Sequence, residues 1–196
     1  FEGIDGILSV SPYYNKPTQN GIYDHYKAIS QACPVDIILY NVPGRTSSNM
    51  SSQTTLRLAN DFKNIVAIKE ASGDMEQCME IIKHKPSGFQ VISGDDLLTM
   101  PYISAGMDGV ISVIANVYPK TFSELVRNAL DGDYSNARIK HYKLLKMMQL
   151  LFADGNPGGA KVILEQIEIC KNELRLPLIP VNSEIQKALI EENAKL

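Results

Sequence analysis

The sequence predicts an α/β chain built on a parallel β-sheet, and three observations predict it. Five short, nearly continuous apolar runs recur between residues 6 and 113, helical stretches separate them, and Gly, Pro or polar clusters bound each run. Strands that are apolar on both faces belong to parallel sheets covered on both sides, and their alternation with helices implies right-handed crossovers. Two closures fit this pattern, an open doubly wound sheet or a (β/α)₈ barrel, and both gather functional groups at strand C-termini.

The strand-like runs are Gly6 to Val10, Val35 to Tyr40, Ile65 to Lys69, Phe89 to Ser93 and Gly109 to Val113. Gly21 to Cys33 reads as a helix because Ile22, Tyr26 and Ile29 fall on one face, and Ser52 to Asn60, Asp74 to Lys83 and Asp95 to Ala105 have comparable spacing. After Val113 the alternation stops. Pro119 to Ala129, Ser135 to Phe152, Gly159 to Leu174 and Ile185 to Lys195 read as helices, separated by turns at Gly132, Gly155 to Gly159 and Pro177 to Pro180. These are too many for one last crossover. One closing helix and a C-terminal helical extension are expected, with residues 1–132 belonging to the sheet-bearing part and 133–196 to the helical region.

A 44% hydrophobic composition fills a real core, and a formal net charge of −3 with scattered Lys and Arg leaves no basic footprint for nucleic acid or an anionic membrane. No apolar run reaches membrane-spanning length. Cys33, Cys78 and Cys170 are an odd, widely spaced set without CxxC, which suggests neither a disulfide framework nor a zinc site and fits a reducing cytoplasm. The opening residues, Phe1 to Gly6, lack the basic start and apolar core of a signal peptide and run almost directly into a strand, so further N-terminal elements are expected to precede them.

The most informative residue is Lys69, which closes the run Ile65-Val66-Ala67-Ile68. Burial disfavours an ammonium, so a lysine there either snorkels out at the strand end or serves as a reactive amine. A desolvated lysine keeps a larger neutral fraction, and a neutral amine attacks a ketone to form a Schiff base.

The other strand ends supply partners for such chemistry: Ser11-Pro12-Tyr13-Tyr14-Asn15, Tyr40-Asn41-Val42-Pro43-Gly44-Arg45-Thr46, Ser93-Gly94-Asp95-Asp96 and Gly109-Val110-Ile111-Ser112. Imine formation needs a proton donor for the departing hydroxyl and an acid/base at the neighbouring carbon, and a tyrosine hydroxyl serves both. Arg45 offers the fork that recognises a carboxylate. Taken singly, Tyr40 is equally a core tyrosine, Tyr13 and Tyr14 loop aromatics, and Arg45 a surface charge; the conjunction favours chemistry. His25, His84 and His141 lack metal-ligand spacing, Asp95 and Asp96 read as helix N-caps, and strand alternation points Glu70 away from Lys69.

These motifs, with Ile68-Lys69-Glu70-Ala71-Ser72-Gly73 and Val113-Ile114-Ala115-Asn116, closely resemble the dihydrodipicolinate synthase family in order and spacing, and the likeness runs through Leu174-Arg175-Leu176-Pro177-Leu178. The resemblance implies a (β/α)₈ barrel, of which this chain carries strands 4 to 8, and a condensation of pyruvate with aspartate semialdehyde in lysine biosynthesis. It assigns the Schiff base to Lys69, proton relay to Tyr40, a tyrosine crossing a dimer interface to Tyr14, and a neighbour near a lysine-inhibition site to Tyr13. Arg45 would hold the carboxylate of aspartate semialdehyde, while Gly94 and Ile111 would approach pyruvate through backbone groups. It implies no metal or organic cofactor, and a homotetramer built from two tight dimers. The related N-acetylneuraminate lyases and other pyruvate-dependent aldolases, the alternative activities, share the tyrosine and lysine, but the lyases generally have no arginine where Val42-Pro43-Gly44-Arg45-Thr46 stands here. The family's Gly-Thr-Thr-Gly-Glu-type motif, whose second threonine joins the relay, is not in this sequence. A barrel of five strands leaves an open edge, so the alternative is a fragment acting only by association.

Overall fold

The computed structural model describes residues 2–196; Phe1, counted above among the opening residues, lies outside them. The described residues divide into two compact units that part between Ile111 and Ser112.

The first unit holds strands β1 (Gly6–Val10), β2 (Asp36–Asn41), β3 (Ile65–Glu70), β4 (Gln90–Ser93) and β5 (Gly109–Val110) in one parallel sheet, in sequence order. Helices α1 (Gln19–Ala32), α2 (Pro43–Thr46), α3 (Ser52–Asp61), α4 (Met75–His84) and α5 (Thr99–Ser104) make the connections. Short polar side chains start the long helices: Thr18, Ser51 and Asp74 each accept from the backbone N–H three residues on, which is why α1 begins before the apolar positions that reveal it.

Alternation along the strands divides the sheet into two faces. Ile37, Leu39, Ile68 and Val91 point to the helices, where Ile22, Tyr26, Leu58, Cys78, Ile81 and Tyr102 complete a fully buried core. On the opposite face Leu8 is 44% and Val10 38% exposed, and Ile38, Tyr40, Lys69 and Ile92 are half-buried. Helices therefore cover one side of these strands, where continuous apolar runs predict two. A register shift between Ile37 and Ile38 brings Tyr40 opposite Lys69 and Asn41 opposite Glu70.

Two elements of this unit are shorter than predicted by several residues. The fifth strand ends at Val110 because the Ser112 hydroxyl accepts from the N–H of Ala115, turning the chain into a 3₁₀ segment at Ile114–Asn116. Helix α5 starts at Thr99, since the Asp95 carboxylate accepts from Leu98 N–H and the Ser93 hydroxyl takes Asp95 N–H, holding residues 95–98 in a turn. Asp95 thus caps that turn; the helix N-cap position is Leu98.

The second unit contains α6 (Pro119–Leu130), α7 (Tyr134–Leu150), α8 (Gly158–Gln166) and α9 (Ser183–Asn193), with Phe122, Leu125, Leu144, Met147, Ile163 and Leu189 buried. Helix α8 stops well before the predicted Leu174: Glu168 adopts a left-handed φ of 59°, and the Glu165 side chain accepts from Asn172 N–H. Among the described residues no helix is long and apolar enough to cross a membrane.

Candidate active site

Because the five strands are parallel, their C-terminal ends share one edge, and the polar residues singled out above lie at or just after those ends. Lys69 is the penultimate residue of β3, with Tyr40 on one side and Ile92 on the other. Its Nζ stands 4.2 Å from the centroid of the Tyr40 ring, a cation–π distance when the amine is charged.

Burial pushes the Lys69 ammonium below the ordinary lysine value; Asp96 opposes this and the Arg45 guanidinium adds to it. Burial raises the Tyr40 phenol, and Arg45 pulls it back down. One arginine thus acts on both groups, in each case favouring the form with less positive charge. Arg45 is exposed on the one-turn α2, whose Pro43 occupies the first helical position and whose Ser47 closes the turn at φ 52°.

Gly94 has an ordinary φ, so its lack of a side chain answers to space. A Cβ there would lie 2.7 Å from Ala71 Cβ, 3.0 Å from Lys69 Cε and 3.2 Å from Lys69 Cγ. The lysine stem occupies the volume that glycine leaves. Ile111 is tied to the same edge by its N–H, which donates to Ser93 O at 2.9 Å. Tyr14 and Tyr13 stand in the β1–α1 connection, 93% and 61% exposed. The geometry therefore brings Lys69, Tyr40 and Gly94 into contact with Arg45 in electrostatic range, whereas Tyr14 extends into solvent.

Three further residues belong to this site. Asp96 is 5% exposed and acts on Lys69, a role that its reading as an N-cap missed. Behind the sheet, Asn41 and Glu70 meet directly: Asn41 Nδ2 lies 3.1 and 3.0 Å from the two Glu70 oxygens. The available signal was an acid next to the lysine that closes a buried apolar run. The histidines lie apart, His25 on α1, His84 near the end of α4 and His141 buried on α7. No group of three or more His, Cys, Asp or Glu able to hold a metal occurs among the described residues.

Sheet and site together define a parallel α/β protein with a partly desolvated lysine, backed by an aromatic ring, at the C-terminal edge of its strands. The chain belongs to the dihydrodipicolinate synthetase family, whose profile matches residues 1–194. It is 57% identical over 180 residues to the 4-hydroxy-tetrahydrodipicolinate synthase of Parabacteroides distasonis, covering 92% of this chain and 61% of that protein. Crystal structures of two dihydrodipicolinate synthases superpose closely. That from Aquifex aeolicus has a TM-score of 0.96 at 44% identity, covering 98% of this chain and 66% of that one. The chloride-inhibited enzyme of Acinetobacter baumannii complexed with pyruvate has a TM-score of 0.94 at 40% identity, covering 98% and 66%. The chain spans 61% of the length of the Parabacteroides relative.

Proposed function

We propose that the protein to which this chain belongs is a lyase that forms a Schiff base with pyruvate and condenses it with L-aspartate 4-semialdehyde, in diaminopimelate and lysine biosynthesis. The observation that carries this reading is the Lys69 amine, lowered in basicity by burial and seated 4.2 Å over the Tyr40 ring. Family membership and the pyruvate complex of the Acinetobacter relative support it.

In this reading neutral Lys69 Nζ attacks the keto carbon of pyruvate. The carbinolamine loses its hydroxyl as water, with the Tyr40 phenol delivering the proton, and the imine then loses a methyl proton to give an enamine. The enamine carbon attacks the semialdehyde carbonyl, the substrate amine closes the ring onto the imine carbon, and the C–N bond to Lys69 breaks. Arg45 holds the semialdehyde carboxylate, and Gly94 and Ile111 border pyruvate through their backbones. Tyr14 acts in the site of a second copy, within a dimer of dimers. The chemistry requires neither metal nor organic cofactor.

We further assign residues 1–132 to strands 4 to 8 of a (β/α)₈ barrel, with α6 its closing helix, and residues 133–196 to a helical extension. Five parallel strands in sequence order and relatives longer than this chain support the barrel assignment, while the compact units part earlier, between Ile111 and Ser112.

The test is borohydride reduction in the presence of pyruvate, followed by peptide mass spectrometry, with aspartate semialdehyde and N-acetylneuraminate compared as substrates. An adduct on Lys69 and turnover of the semialdehyde are expected. Absence of the adduct refutes the Schiff-base reading for this chain, and activity with N-acetylneuraminate alone refutes the role of Arg45.

A further inference from the structure

Glu70 is wholly buried, yet each hydrogen bond that its side chain accepts comes from a neutral donor. Besides Asn41, Ser72 N–H donates to Oε1 at 2.8 Å and Gln77 Nε2 to Oε2 at 3.0 Å. Groups that only donate select the acceptor-only, ionised carboxylate. Burial raises the carboxyl against that preference, and the bonds from Asn41, Ser72 and Gln77 pull it down. A buried carboxylate held this way is costly by comparison with an apolar side chain of similar size, so packing does not account for it.

What the carboxylate does is tie together the residues that follow Tyr40 and Lys69. Asn41 comes directly after Tyr40, Glu70 directly after Lys69, and the two are register partners on the face opposite to the amine. Asn41 is itself fully engaged: its Nδ2 also donates to Asn49 Oδ1 at 2.7 Å, and its Oδ1 accepts from Met50 N–H at 2.9 Å. Gln77 reaches the carboxylate from α4 and Ser72 from the turn after β3, so Glu70 is the point where β2, β3 and α4 are joined. The main chain runs parallel to this arrangement, with Ala71 N–H on Asn41 O and Gly94 N–H on Glu70 O.

We propose that Glu70, acting through Asn41, is a positioning residue that holds Tyr40 and Lys69 in their face-to-ring geometry. The inference rests on the Schiff-base reading for its kinetic consequence and on the hydrogen bonds alone for its structural one. Glu70→Gln keeps the shape but replaces one acceptor oxygen by an NH₂, setting donor against donor.

The experiment measures the rate of pyruvate trapping on Lys69 in four proteins: the unaltered chain, Glu70→Gln, Tyr40→Leu and the double variant. Glu70→Gln is expected to slow trapping by about tenfold or more, the scale of a small misplacement of reacting groups. In the Tyr40→Leu background, where no ring is left to hold against the amine, the same change is expected to cost much less, because coupled residues are non-additive. Full additivity, or an unchanged rate in Glu70→Gln, overturns the proposal. If Glu70→Gln does not fold, Gln77→Leu, which removes one donor from α4, is expected to slow trapping in the same sense, and an unchanged rate overturns the proposal. Competitive acetylation of Lys69 across pH separates the two readings. If the unaltered chain forms no adduct, the Schiff-base reading fails, while a Lys69 titration that differs between the unaltered chain and Glu70→Gln still upholds positioning and an identical one overturns it.

Discussion

Tyr40 and Lys69 are direct register partners on β2 and β3, and the amine lies over the tyrosine ring at 4.2 Å. In the proposed function two roles are therefore separable in one residue: the ring as a platform for the amine and the hydroxyl as a proton carrier.

Tyr40→Phe keeps the platform and removes the carrier. Trapping of pyruvate on Lys69 is expected to slow, because carbinolamine dehydration loses its proton donor, but still to reach completion, while turnover falls by about 10²-fold or more, the usual worth of a positioned acid/base. Tyr40→Leu is expected to impair both. Trapping and steady-state turnover, measured side by side, check the split, and equal loss of both in Tyr40→Phe speaks against it.

Electrostatics give a second, signed prediction. Arg45 lowers both the Lys69 ammonium and the Tyr40 phenol, and Asp96 raises Lys69. Arg45→Gln is expected to move both titrations upward, and Asp96→Asn to move Lys69 further down. Lys69 titrates below the value it has in the unfolded chain, so below its folded value both states carry the proton and the folded state bears the desolvation cost. Its contribution to stability therefore improves as pH rises from that lowered value to the ordinary one. Competitive labelling of Lys69 and ultraviolet titration of tyrosine read the two shifts.

The strands were legible because their runs are apolar almost throughout, and Lys69 was legible because it interrupts one. Lengths were less so, since Ser112, Asp95 and Glu168 redirect the backbone by local hydrogen bonds or a left-handed φ while the apolar spacing continues past them. Glu70 was read correctly as facing away from Lys69 but not as buried. An acid on the far side of a strand looks like a solvated one until α4 and the Asn49 loop are folded over it, bringing Gln77 and Asn49. Asp96 was hidden for a related reason, because a carboxylate after a strand has the same local sequence whether it caps a helix or faces an amine.

Gly94 yields a third prediction through the two neighbours its Cβ would meet. Gly94→Ala presses on Ala71 Cβ at 2.7 Å and on the Lys69 stem at 3.0 and 3.2 Å. Adding Ala71→Gly relieves the first contact only. The single variant is expected to lose both stability and trapping, and the double variant to regain stability while trapping stays low. Recovery of both would mean that the lysine stem adapts and that Gly94 matters for packing alone.

The fourth prediction concerns stability in the helical unit. A Cβ on Gly159 would stand 2.7 Å from Leu151 O and 2.8 Å from Leu151 Cα, main-chain atoms at the end of α7 that cannot swing aside. Gly159→Ala must push α8 and the end of α7 apart, and forced overpacking of this kind costs about 1–3 kcal/mol. Gly44 is the control: it sits in α2 with an ordinary φ and nothing within 4 Å of its Cβ direction. There the same substitution removes unfolded-state freedom at no steric cost, and a gain of about 0.4–1 kcal/mol is expected. Urea unfolding of the two variants against the unaltered chain measures both, and the opposite signs make the comparison independent of any general effect of adding a methyl group.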